Sequence, residues 1–142
     1  MTRTFSLFHA PLVLKGDLHV SHIVEIVTEV RDPAAIRAAC QRLTLPPPVH
    51  GTTRLFFGEA TGWAVRLRDW KYPVVCDTES GKVHYDNYNG AWGNESRLHR
   101  FLQIYTVEKT RIESHKQGYS MTEQMLADGS VRLTVAVGGA AS

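Results

Sequence analysis

The sequence predicts an α+β fold: a mainly antiparallel sheet with two helices packed on it, in the order β-α-β-β-β-β-α-β-β. Three observations lead there. A long helical periodicity closes on Gly118 and runs into a hairpin signalled by Asp128-Gly129. A shorter helical stretch opens at Asp32-Pro33. Between the two lie short β-type runs divided by turn formers. Helices bracketing such a sheet make a two-layer sandwich, because each element must bury its apolar face against another.

Residues 1–19 contain apolar runs at 5–8 and 11–14, broken by His9-Ala10. Neither run has the length of a secretory core or of a membrane span, so the stretch reads as an extended N-terminal arm. A competing expectation starts the natural product at Val20. Valine can be encoded by the alternative start codon GTG, and Lys15-Gly16-Asp17 by a stretch like a ribosome-binding site. The domain itself is expected over 20–138, with 139–142 as a flexible tail.

Residues 23–30 are β-branched and alternate with Glu25 and Glu29, which makes them the first strand. Asp32 then caps a helix that has Pro33 at its first position, where a missing N–H costs nothing. Ile36, Ala39, Cys40 and Leu43 form its buried stripe. Pro46, Pro47 and Pro48 stop it and act as a stiff connector. Four β-type segments follow, at 53–57, 63–68, 73–77 and 82–88. Gly58 and Gly62, Asp69, Glu79-Ser80-Gly81, and Asn87, Asn89 and Gly90 are their expected turns. Val65 and Leu67 alternate with Arg66 and Arg68, as in a sheet with one wet face.

Asn94 or Ser96 caps the long helix. Leu98, Phe101, Leu102, Tyr105 and Ile112 recur at three- and four-residue steps and share one face. His115 and Lys116 suit its carbonyl end, and Gly118 occupies the position that favours a left-handed residue. In the closing hairpin, Tyr119, Met121 and Met125 alternate with polar residues. Val131, Leu133, Val135 and Val137 line one face of the returning strand.

At 142 residues the chain holds one core, burying about 65–70% of the unfolded surface. Its 43% hydrophobic and 21% charged residues are ordinary for a globular domain. A net charge of +2, with Arg66 and Arg68 or Arg97 and Arg100 too sparse to form a patch, argues against nucleic acid. Cys40 falls on an apolar helix face and reads as a buried reduced thiol; a disulfide with Cys76 stays open. Nothing directs the chain out of the cytosol, so a cytoplasmic protein is expected.

Tests for chemistry find little. His19 and His22 flank a strand start, where their spacing puts them on opposite faces, and no metal-ligand motif accompanies them. Neither cysteine has an activating base nearby in sequence, and no cofactor motif is present. An enzyme is therefore not expected. Gly90-Ala91-Trp92-Gly93 lies just before the long helix, where backbone amides can meet an anion. His22, Trp92 and Gly93 are accordingly the ligand candidates, with Arg97 or Arg100 supplying charge. The segment 85–92 interleaves Tyr85, Tyr88 and Trp92 with Asn87 and Asn89, the make-up of a recognition loop; the alternative puts the aromatics in the core and the amides in the turn. Tyr85, Tyr88, Trp92, Arg97 and Arg100 are the interaction candidates.

From Ser21 to Val137 the chain resembles an uncharacterised family, domain of unknown function 1257, founded on chloroplast and cyanobacterial reading frames. The likeness lies in Ser21-His22-Ile23, the Asp-led first helix, Trp92-Gly93 before the long helix, Tyr105 within it, Gln117-Gly118-Tyr119, and the run from Asp128-Gly129-Ser130 to Val131-Arg132-Leu133. Pro46–Pro48 and residues 71–77 depart from the pattern. Family members typically begin at the Met-Ser-His equivalent, which favours Val20 as the start. The resemblance implies no catalytic residues. It implies an accessory role beside an AAA-type ATPase, by the frequent neighbourhood of their genes. The functional expectation is a non-catalytic interaction or adaptor module; a small-ligand or anion-binding domain is the alternative. A homodimer through edge-to-edge strand pairing is also allowed.

Overall fold

Both helices begin where a short polar side chain holds the first amides. In the computed structural model, which describes residues 2–7, 29–56 and 58–136, α1 spans Pro33–Arg42 and α2 spans Glu95–Lys116. Asp32 accepts from the Ala34 N–H at 2.9 Å, and Asn94 accepts from the Ser96 N–H at 2.8 Å. Gly118 ends α2 at φ 77°, a conformation that costs glycine nothing.

The strands are β1 (Thr2–Leu7), β2 (Val49–Leu55), β3 (Gly58–Val65), β4 (Val74–Asp77), β5 (Lys82–His84), β6 (Ser120–Met125) and β7 (Val131–Ala136). Their order with the helices is the expected one, and they divide into two antiparallel sheets, β2-β3-β4-β5 and β1-β7-β6. Helix α2 lies between them. Its Leu98, Phe101, Ile104 and Tyr105 pack with Ile36, Ala39 and Cys40 of α1 and with Val65, Val74 and Cys76 of the first sheet. Its Val107 packs against Val131 and Leu133 of β7. Burying each of the valine, leucine, isoleucine and phenylalanine side chains stabilises by about 1.5–3 kcal/mol. Val131, Leu133 and Val135 are the buried positions of β7, as their alternation predicts.

Polar groups lock the layers. Gln103, fully buried, donates from Nε2 to the Gly129 carbonyl at 3.1 Å and accepts from Arg100, tying α2 to the β6–β7 turn. Arg42 of α1 pairs with Glu108 of α2 and Glu123 of β6. Tyr105 turns its hydroxyl toward the start of α1, accepting from the Arg31 and Asp32 N–H groups at 3.1 Å each.

Several boundaries differ from the sequence reading. The strand that opens the order is Thr2–Leu7, paired with β7 from Thr2↔Ala136 to Leu7↔Val131. Residues 23–28 of the expected first strand lie outside the described residues, and Glu29 and Val30 belong to no strand. Val20, His19, His22 and the tail likewise lie outside them. Gly58 and Gly62, expected as turns, are the first and fifth residues of β3. The turn falls instead between Leu55 and Gly58, which pair with each other. Gly62 is there because the neighbouring strand comes too close for a side chain: a Cβ would lie 2.8 Å from the Cys76 carbonyl carbon and closer still to its oxygen. The 82–88 run stops pairing at His84, because the chain turns into a single 3-10 turn at Tyr88–Gly90.

Candidate interaction site

Residues 85–94 leave β5 and deliver the chain to α2 through a tightly bonded loop. Asn87, 8% exposed, is its anchor. Its carbonyl accepts from Gly90 and Trp92 N–H at 2.9 Å each, and its Nδ2 donates to the Gly93 carbonyl at 3.3 Å. The Trp92 carbonyl in turn accepts from the Lys71 N–H at 2.9 Å. Tyr88 and Asn89 sit at φ 48° and 53°, the left-handed region that non-glycine residues seldom occupy. Such strain persists only where surrounding contacts over-determine it.

This frame presents aromatic rings. Tyr88 stacks on Trp92 with centroids 4.7 Å apart and planes at 22°. Phe56, from the β2–β3 turn, meets Trp92 edge-on at 5.1 Å, and Tyr72 lies 5.7 Å from it. Lys71 Nζ stands 4.5 Å from the Trp92 ring centroid, within cation–π range. Phe56 and Tyr88 are 54% and 56% exposed, whereas Trp92 is half-buried beneath them. Of the interaction candidates, Tyr88 and Trp92 are thus brought together.

Tyr85 belongs to the next ring along. It is exposed and packs edge-on to Trp70 at 5.9 Å; burial first, and then Glu95, hold its phenol above the usual tyrosine range. Trp70 donates from Nε1 to the Asn94 carbonyl at 3.1 Å and lies flat against Gly93. Gly93 is therefore a seat for an indole in the free chain.

Arg97 and Arg100 face elsewhere. With Arg68 they rim a cleft of 100 Å³ whose floor is Leu43, Leu45 and Leu67. Arg97 lies 3.7 Å from Asp69. Burial, then Arg42, lowers the Arg100 guanidinium from its usual range.

A larger groove, of 340 Å³, runs between the outer end of the β2–β3 hairpin and the exit of β5. Leu55, Glu59, Ala60, Val83, His84, Tyr85 and Asp86 line it. Asp86 is 7% exposed, and its Oδ2 has no hydrogen-bond partner among the described residues.

Elsewhere the chemistry is quiet. Cys40 and Cys76 are buried and free, and burial pushes their thiols up to about 11 and about 12, with Cys40 adding to the shift of Cys76. Among the described residues no set of three or more His, Cys, Asp or Glu side chains is placed to hold a metal ion. No helix there is long and apolar enough to cross a membrane.

Sequence reasoning missed Phe56, Trp70, Tyr72 and Asp86. Phe56-Phe57 carried a usable signal, since two adjacent large apolar residues between strand-like runs are out of place unless something binds or covers them. Asp86 carried none, as a lone aspartate beside a turn is ordinary. Comparison of the chain with protein-family models, with curated proteins and with solved structures finds no match.

Proposed function

We propose that this chain is a non-catalytic protein-interaction module whose contact surface is the aromatic patch of Phe56, Tyr88 and Trp92. The observation that carries this reading is the pairing of exposed rings with a rigid base. Tyr88, more than half exposed, stands on a loop held in a strained backbone conformation by a buried hydrogen bond, and Phe56 of the β2–β3 turn, equally exposed, packs with it on Trp92. Rigid aromatic anchors give contact area at low entropic cost on binding. The resemblance to domain of unknown function 1257 makes an AAA-type ATPase the first partner to look for.

The test is affinity purification of the tagged chain from its native host, with co-eluting proteins identified by mass spectrometry. A stoichiometric partner is expected with the wild type and not with Tyr88→Ala or Trp92→Ala. Tyr88→Ala is the cleaner variant, since its ring is more than half exposed and its loss is expected to leave the fold intact. A partner retained by both folded variants would refute the patch.

The Arg68, Arg97 and Arg100 cleft favours a second reading, an anion-binding domain, because cations there surround an apolar floor. A thermal-shift screen of organic anions separates the two. A ligand at a hundred times its dissociation constant stabilises the fold by about 2.7 kcal/mol, and a flat screen removes the anion reading.

A further inference from the structure

We propose that the groove between the β2–β3 hairpin and the end of β5 receives an arginine side chain from the partner, with Asp86 and Glu59 binding its guanidinium. The inference rests on the interaction-module reading and names the chemistry of what the module holds.

The starting point is Asp86. A buried carboxylate oxygen without a donor has lost its water and gained nothing in exchange, which is costly wherever it persists. Asp86 is 93% buried by the measure of its 7% exposure, its Oδ2 is unpartnered among the described residues, and it forms part of the groove wall. Oδ2 is sealed from solvent, so a donor supplied from outside completes it once the Asp86 side chain rotates that oxygen into the groove. The groove is the place for that donor, since its 340 Å³ leaves room for a side chain.

The lining states which donor. Among the described residues it contains two carboxylates, Glu59 and Asp86, one histidine, His84, and no lysine or arginine. Neither acid has an ion pair among the described residues, although most acids of the α1–α2 region do. A cation is therefore the matching charge. A metal ion is the poorer fit, because no cluster of three or more ligating side chains is assembled there among the described residues. An organic cation suits the rest of the wall: Leu55 and Val83 give an apolar track for an alkyl stem, and Tyr85, 43% exposed, offers a ring face. A guanidinium exploits all three features, with planar paired donors for a carboxylate and a flat face for stacking. The groove also adjoins the aromatic patch along the chain, for Leu55 precedes Phe56 and Asp86 lies two residues before Tyr88. One extended segment can place an arginine in the groove and an apolar residue on the rings.

The experiment is a titration of the ¹⁵N-labelled full chain with N-acetyl-arginine amide and with its citrulline counterpart, which keeps the shape and loses the charge. Saturable shifts are expected at Glu59, Ala60 and residues 83–86 with the arginine compound. Binding should be about tenfold weaker with citrulline and about tenfold weaker in Asp86→Asn. Glu59→Gln, at an exposed position, should weaken it several-fold in a chain that folds normally. No saturable shift at these residues, equal binding of citrulline, or wild-type affinity in both variants would overturn the proposal. The two readings fail separately. An arginine compound that binds while no partner is captured keeps the groove and removes the module. A partner captured equally by Asp86→Asn, with no arginine binding, removes the groove alone.

Discussion

Replacing Gly93 by alanine should destabilise the fold by an amount that can be worked out from one packing contact. A Cβ at this position would lie 2.5 Å from Cε2 and 2.7 Å from Cγ of Trp70. Non-bonded carbons settle at about 3.5–4.0 Å, so the ring must retreat by about 1 Å. It has little room to do so. Its Nε1 donates to the Asn94 carbonyl at 3.1 Å, and Tyr85 packs against it. Retreat therefore sacrifices a hydrogen bond, worth about 1 kcal/mol, on top of the about 1–3 kcal/mol of an overpacked contact. Gly93 is not among the residues with positive φ, so alanine recovers about 0.4–1 kcal/mol through the less disordered unfolded chain. The net expectation is a loss of about 2–3 kcal/mol, or roughly 5–10 °C in Tm.

Urea and thermal unfolding followed by tryptophan fluorescence measure this directly. The control is Trp70→Leu, in whose background Gly93→Ala should cost much less, because the obstructing ring is gone. A stability within about 0.5 kcal/mol of wild type would refute the reasoning, as would an equal loss with and without Trp70. A glycine that cradles a ligand predicts the opposite pattern, normal stability and impaired binding.

Two further perturbations probe the frame. Tyr105→Phe removes the acceptor that serves the Arg31 and Asp32 N–H groups; it should cost about 1–3 kcal/mol in urea unfolding, and an unchanged midpoint would show that water replaces the hydroxyl. For Asp32, burial pushes the carboxyl up, but hydrogen bonds from Lys109 and the Ala34 N–H outweigh it and hold the group below its usual range. Its contribution is therefore present above the unfolded carboxylate pKa of about 3.9 and is lost as pH falls through the lower folded value. Asp32→Asn, which keeps a capping oxygen, should reduce the stability change between pH 6 and pH 2.5; an unaltered pH profile would exclude this pair as a source of acid sensitivity.

Most of the fold was legible because it is written in local signals. Asp32 and Asn94 as caps, Gly118 as the helix stop and the alternation of Val131, Leu133 and Val135 each depend on neighbours a few residues away. The errors fall where a distant segment decides. Gly62 resembles a turn glycine until Cys76 is known to lie against it. Gly93, a ligand candidate by sequence, packs against Trp70 in the fold, a contact its neighbours along the chain do not announce. Tyr88 and Trp92 could be chosen from composition, but Phe56 and Tyr72 join them only through tertiary packing. The separation of Arg97 and Arg100 from that patch was equally invisible, since helix periodicity does not say which cleft a face overlooks.

Among the described residues Thr44, Asp69, Tyr88 and Asn89 hold a positive φ without being glycine, and the last two fall side by side in the loop before α2. The β6–β7 hairpin obeys its local rules, with Asp128 accepting from Ser130 in the turn and apolar residues inside. Residues 85–93 do not. There the chain holds two non-glycine residues at positive φ, each costing on the order of 1–3 kcal/mol. Beside them lies a buried carboxylate oxygen that meets no donor among the described residues, a cost of similar size. Against a total stability of roughly 5–15 kcal/mol for a domain, such features survive only if the frame around them is stiff, and Asn87, Trp70 and Gly93 make it so. A connector between β5 and α2 has no need of these costs, because a relaxed turn would join the same two elements. The proposed contact surface, which would hold Tyr88, Trp92 and Asp86 in fixed relative positions ahead of a partner, would need them, and that is the physical case for proposing the contact here and not on the Arg97–Arg100 side of α2.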